Sequence, residues 1–290
     1  MKKQTNFSTK GNVTNVGSLS VNRMLPNQYV NKVGPFVFLD YVAPFIKKMI
    51  SKSGMGAHPH RGIATLTYVI QGEEEHYDSL GNYAKIHSGG VQWMKAGTGI
   101  LHDGNLNYDT ETDSKFVEGF QFWINLPSQN KAEKPAHLAI QANDVPQKKL
   151  ADESGWIKVI VGSYEELSSQ IPNYSEQFLY HIHLEAGKQF SIKLNDKMES
   201  AAFLPTAKVT LNDTEFEAGE FVEFSRNEGL IEIKNTDRSA IDILLFGGEE
   251  YIEPVVSEGP FVMNSEDEII LAYQDFYEGK YGKMNLSAKI

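Results

Sequence analysis

Short runs of β-branched and aromatic residues, each closed by turn-forming residues, recur along almost the whole chain and leave little room for anything but β-structure. Ile63-Ala64-Thr65-Leu66-Thr67-Tyr68-Val69-Ile70 is such a run and ends at Gln71-Gly72. Glu73 to Tyr77 follows, then Asp78-Ser79-Leu80-Gly81-Asn82, a turn by composition. Val91–Met94 and Phe120–Leu126 read as further strands. After a polar stretch with Lys and Pro, Ser128 to Ala136, the pattern resumes at Trp156–Val161, Phe178–Leu184, Ala201–Leu204, Ala207–Leu211, Phe221–Phe224, Leu230–Lys234 and Ala240–Phe246. A chain of 290 residues is long for one core and comfortable for two. The polar stretch therefore marks the expected boundary, giving domains 1–135 and 136–290. One helix is expected near the C-terminus. Ser265-Glu266-Asp267-Glu268 fits a capping box, Ile269, Ile270, Tyr273, Phe276 and Tyr277 follow at helical spacing, and Gly279 or Gly282 would stop it. The fold class is all-β, a sandwich or barrel in each half, with a short C-terminal helix.

Composition narrows the chemistry. With 38 acidic and 27 basic residues the formal charge is −11, and no basic run overrides it, so no nucleic-acid surface is expected. There is no cysteine, which removes disulfides, zinc–thiolate sites and thiol nucleophiles. No stretch approaches the ~18 apolar residues of a membrane span. Lys2-Lys3 is followed by polar residues rather than an apolar segment, so a signal peptide is not expected. The expectation is a soluble cytoplasmic protein.

Histidines carry the functional signal. His58 and His60 stand at i,i+2 in Ala57-His58-Pro59-His60-Arg61-Gly62, which on a strand puts both rings on one face. His102 closes Gly97-Thr98-Gly99-Ile100-Leu101-His102, and an imidazole from a neighbouring strand would complete one face of a coordination sphere. Were the strand regular, His58, His60, Ala64, Leu66, Tyr68 and Ile70 would share one inward, mostly apolar face, although Pro59 and Gly62 invite a bulge. The same parity places Gly104 with His102 and turns Asp103 away. Spacing alone leaves two readings open, a metal site or histidines satisfied by hydrogen bonds to protein. His181-Ile182-His183 repeats the pattern without a later histidine to complete it and reads as structural. Glu73-Glu74-Glu75-His76 reads as a solvated hairpin with His76 near a ligand; His87 and His137 lie in turn-like contexts. Gly97-Thr98-Gly99 lacks the lysine of a phosphate loop, and no nucleophile elbow is present.

At these residues the chain resembles the pirin family, a branch of the cupin superfamily. Gly34-Pro35-Phe36-Val37-Phe38-Leu39-Asp40-Tyr41 is similar to the family's early Gly-Pro-Phe block. His58-Pro59-His60-Arg61-Gly62 and Thr67-Tyr68-Val69, then Gly72 and Glu75-His76-Tyr77-Asp78-Ser79-Leu80-Gly81-Asn82, resemble its first metal motif and the hairpin after it. The segment from Val91 to His102 resembles the second motif, Gln121–Leu126 the strand closing the first domain, and Glu253-Pro254-Val255 with Gly259-Pro260-Phe261-Val262-Met263-Asn264 a C-terminal block. The resemblance implies a bicupin of two tandem jelly-roll β-barrels with one divalent metal, iron by family habit, in the N-terminal barrel. Carried over residue by residue, the metal ligands are His58, His60 and His102. The family's glutamate ligand falls at Gly104, and a second acidic position falls at Ala64, so the site loses negative charge and weaker metal binding than in glutamate-bearing relatives is expected.

Three functional readings follow from the resemblance. The first is a metal-dependent dioxygenase acting on a small molecule of the flavonol, quercetin-like type, with no general base that can be named because Gly104 replaces the glutamate. The second is a non-catalytic regulator whose metal redox state governs binding to a protein partner. The third is a barrel that has lost tight metal binding and keeps the histidines as structural remnants.

Overall fold

The structure, a computed structural model, describes residues 1–17 and 19–284. In chain order the first strands are β1 (Thr5–Thr9), β2 (Asn12–Val16), β3 (Leu19–Leu25), β4 (Phe36–Ile46), β5 (His58–His60), β6 (Ile63–Gln71), β7 (Glu73–Asp78), β8 (Tyr83–Ile86), β9 (Val91–Lys95), β10 (Ile100–Asn107), β11 (Phe116–Asn125) and, after the one-turn helix α1 (Ser128–Lys131), β12 (Ala136–Ile140). A seven-stranded sheet ordered β12-β9-β6-β11-β4-β3-β2 and a four-stranded sheet ordered β5-β10-β7-β8 form the first barrel. The sheets face each other: Thr67 Oγ1 on β6 lies 3.0 Å from Glu74 Oε1 on β7. His76 on β7 stacks on His137 of β12, with ring centroids 4.4 Å apart.

The parity expected beyond His60 is reversed. Thr65 and Thr67 on β6 lie opposite Trp123 and Gln121 on β11 and opposite Met94 and Gln92 on β9, so these residues share a face. That face meets His60, whose ring is 5.0 Å from that of Trp123. Leu66 and Tyr68, expected inward with the histidines, are fully buried on the other face of the sheet. The cause is the break at Arg61-Gly62. Gly62 takes φ +81°, and a Cβ there would meet the Val262 carbonyl oxygen at 2.0 Å. β5 and β6 leave this corner in different sheets, and one residue of slip turns every side chain over.

The second barrel repeats the plan. β1 leads a seven-stranded sheet continued by Phe221–Phe224, Met198–Phe203, Ile241–Glu249, Gln177–Leu184, Gly155–Val161 and Gln147–Lys149; the four-stranded sheet runs Gln189–Leu194, Gly229–Lys234, Val209–Leu211 and Thr214–Phe216. Its interior is apolar, built from residues such as Ile157, Ile182, Ile192, Val209, Phe224 and Ile231. Each large aliphatic chain so buried contributes about 1.5–3 kcal/mol. Ile192 stands opposite Ile231 on adjacent strands here, where the first barrel sets His58 opposite His102. Of two similar frames, one filled its interior with hydrocarbon and the other with imidazole, amide and hydroxyl.

The two compact units are discontinuous in sequence. One compact unit gathers Val13–Asn22, Phe38–Asp144 and the residues from Ile252 on; the other gathers Met1–Asn12, Arg23–Val37 and Val145–Tyr251. β12 lies past the expected cut yet pairs with β9 in the first barrel, so the polar stretch before it is a helical turn and loop rather than a linker. β1 pairs antiparallel with Phe221–Phe224 and belongs to the second barrel's sheet. The C-terminal segment returns to the first unit, where Phe261 bridges Arg61. Local composition reports none of this strand addition across long separations. The expected helix is present as α2 (Glu266–Tyr277), with the Ser265–Glu268 capping box formed. Gly279 ends it at φ +75°, with Gly279 N–H bonded to the Phe276 carbonyl and Lys280 N–H to that of Asp275, a Schellman closure.

Candidate metal centre

β10 runs between β5 and β7, and this brings the three sequence-predicted histidines together. His102 lies directly opposite His58, with His60 two residues along. Ring centroids are 4.3 Å apart for His58 and His102, 5.0 Å for His60 and His102, and 5.1 Å for His58 and His60. One nitrogen from each ring lies within 4.8 Å of the others, a spacing that could hold a metal ion.

The hydrogen bonds around the rings suit that use. His58 Nδ1 lies 2.9 Å from the Gly56 carbonyl and His60 Nδ1 3.1 Å from the Pro260 carbonyl. A carbonyl only accepts, so each Nδ1 carries its proton and each Nε2 keeps a free lone pair, the usual arrangement of a ligating imidazole. His102 is the sharper test. Both of its nitrogens are buried and neither has a hydrogen-bond partner. A polar group so deprived costs about 1–3 kcal/mol, and a metal ion on the lone-pair nitrogen would remove that nitrogen's share. The residues present therefore fit a divalent ion. Burial, then the neighbouring His58, pushes His60 down to about 3, and burial with the surrounding imidazoles holds His102 well below its ordinary value. Both are neutral, and so able to ligate, at physiological pH.

The inward face carries more polar groups than the sequence suggested. Gln92 is 3% exposed with both amide atoms lacking partners, and His137 Nε2 is likewise buried without one. His137 sits on a strand, not in a turn. His76 is 3% exposed, its ring 5.5 Å from that of His102, with Nε2 3.3 Å from Asp78 Oδ2. The acidic run is not a solvated hairpin. Glu73 is 2% exposed and accepts from Lys85 and Thr110, while the Glu74 carboxylate points into the barrel, where burial pushes it up to about 7. Three consecutive glutamates hid a strict alternation; only the pairing of β7 with β10 reveals that Glu74, His76 and Asp78 share the histidine face. Asp103 faces away, as parity required, and accepts from the Gly56 and Gly104 amides.

Two other clusters have a structural account. Glu73, His87 and Asp109 also bring ligand atoms within 4.8 Å, yet Asp109 accepts from Ser88, Glu111 and His87, and Glu73 is bonded as above. His181 Nε2 and His183 Nδ1 converge on one oxygen, Asp242 Oδ1, at 2.9 and 2.8 Å, across the pairing of their strands in the second barrel.

The depressed histidines predict acid sensitivity in metal-free protein. An unfolded histidine takes up a proton near pH 6.5, whereas folded His60 resists until about pH 3. Between those values the unfolded chain binds the extra proton, so stability present above pH 6.5 is lost as pH falls. At pH 5 the contribution from His60 alone is about 2 kcal/mol. Urea denaturation in chelator at pH 7 and pH 5 measures it, and the pH slope should flatten in His60→Gln; an unchanged slope contradicts the assignment.

Comparison with known proteins places this geometry. The Pirin family model matches residues 18–124, and the Pirin C-terminal cupin domain matches residues 179–282. A Pseudomonas aeruginosa protein named provisionally as a quercetin 2,3-dioxygenase is 33% identical over 251 residues, 86% of this chain and 87% of the relative. A pirin-like protein of Caulobacter vibrioides is 32% identical over 275 residues, 93% of this chain and 91% of the relative. Among solved structures, a quercetin 2,3-dioxygenase from Acinetobacter baumannii superposes with a TM-score of 0.89 at 29% identity, covering 98% of this chain and 99% of its own.

Proposed function

Because the chain belongs to the pirin family, we propose that it is a metal-dependent dioxygenase that opens flavonol-type substrates, working from the first barrel with His58, His60 and His102 as the protein ligands of an iron or similar divalent ion. The observation that carries this reading is the pair of buried, partnerless nitrogens on His102 between two imidazoles already set in ligating tautomers. When bound, the ion supplies Lewis-acid polarisation and the redox chemistry an oxygenase requires. The chain's own residues do the rest. The Gly56 and Pro260 carbonyls fix the His58 and His60 rings. Gln92 and His137 present partnerless polar atoms to the same interior, suited to the hydroxyl and carbonyl oxygens of a flavonol. The likeness to quercetin dioxygenases supports this substrate class.

Full-length protein loaded with ferrous iron under nitrogen should consume dioxygen when quercetin is added, with loss of the flavonol absorbance. Protein that binds iron stoichiometrically and leaves quercetin and dioxygen untouched would refute the proposed activity while leaving the metal site standing.

A further inference from the structure

After His102, the next inward position on β10 is Gly104. The space beside it is not vacant. A Cβ at Gly104 would stand 3.6 Å from Glu74 Oε1 and 3.4 Å from the Glu75 carbonyl oxygen, ordinary contact distances. Glu74 belongs to β7, opposite Leu106, and its Oε1 borders the place that a residue-104 Cβ would take. Oε1 is 3.0 Å from the Thr67 hydroxyl; Oε2 is buried without a partner. A carboxylate oxygen in that condition is costly unless a cation or water completes it. His102, on the same inward face, is unmet as well: as a neutral imidazole it holds one lone pair and one N–H, neither with a partner. Glu74 stands outside the group of ligand atoms that the three histidines bring within 4.8 Å, so toward an ion held there it would act by its charge from the same face rather than as a fourth ligand.

We infer that Glu74 is the charge-balancing carboxylate of the three-histidine centre, delivered from β7 beside the seat that β10 leaves open at Gly104. The inference rests on the reading of His58, His60 and His102 as ligands. It revises the expectation drawn from Gly104 alone: the centre keeps its negative charge and changes only the strand that brings it. Gly104 then has a role of its own, since a larger side chain there would contest the place Glu74 occupies.

Manganese(II) binding to the full-length protein, read by chelator competition and by the electron paramagnetic resonance of free manganese, tests this without recourse to turnover. The wild type should bind one ion per chain. Glu74→Gln keeps the shape and removes the charge, and should weaken binding about tenfold or more, the range seen when groups supporting a metal site are lost. Glu74→Ala should do the same, and adding Gly104→Glu to it should recover most of the loss by returning a carboxylate from β10. Wild-type affinity in Glu74→Gln would overturn the inference and leave the three-histidine reading intact. Failure of Gly104→Glu to recover binding would overturn it too, since the loss would then be mere damage to the barrel. Wild-type protein that binds no better than His102→Ala would remove the underlying reading and this inference together.

Discussion

Replacing His102 with alanine should abolish stoichiometric divalent-metal binding and leave the metal-free fold nearly as stable as before. Both halves follow from the same observation. As a ligand, His102 supplies one of three nitrogens, and its loss should exceed the roughly 100-fold penalty of disturbing a supporting group. As a structural residue it contributes little. Its nitrogens bond to nothing, so truncation relieves about 1–3 kcal/mol of unsatisfied polarity, against a cavity cost of about 2 kcal/mol or more. The net change in chelator should lie within about 1 kcal/mol. His60→Ala behaves differently, because it also strips the Pro260 carbonyl of its donor. Chelator competition and urea denaturation, run on both variants, separate the roles. Undiminished affinity in His102→Ala would mean that the ring is not a ligand.

Lys131→Ala should cost about 3–5 kcal/mol, the largest loss of stability we expect from one substitution in this barrel. Lys131 sits in helix α1, 4% exposed, and its ammonium donates to the Gly62 carbonyl at 2.9 Å, Asn125 Oδ1 at 2.6 Å and the Val262 carbonyl at 2.7 Å. Burial pushes this amine down to about 7. Truncation withdraws the ammonium from three buried acceptors, of which the Gly62 carbonyl keeps the Leu126 N–H at 3.3 Å, and an acceptor left with none is short by about 1–3 kcal/mol before relaxation. The corner at Gly62 should loosen with it, and that corner holds β5 in one sheet and β6 in the other. Equilibrium denaturation in urea measures the loss; a change below about 1 kcal/mol would show that water replaces the ammonium without penalty.

The His-x-His pair and the distant His102 were legible because alternation on a strand is short-range geometry, and the capping box of α2 was legible for the same reason. The face opposite the histidines was not. Thr65 and Thr67 line the interior only because the chain turns over at Gly62, a corner set by contact with Val262 far along the sequence. His137 was hidden because β12 is recognisable mainly through its pairing with β9. Glu74 was hidden by its neighbours: three glutamates in a row show no alternation until β10 assigns their sides. The place of β1 was hidden for a related reason, since it is set by pairing with Phe221–Phe224.

The bond between His60 Nδ1 and the Pro260 carbonyl spans 200 residues of sequence. A ribosome that has made both histidine motifs has therefore not yet made the group that sets one of their protons. Throughout most of translation the His60 ring lacks the partner that fixes its Nδ1 proton. The arrangement of His60 seen in the folded chain is thus completed only when the C-terminal segment has docked.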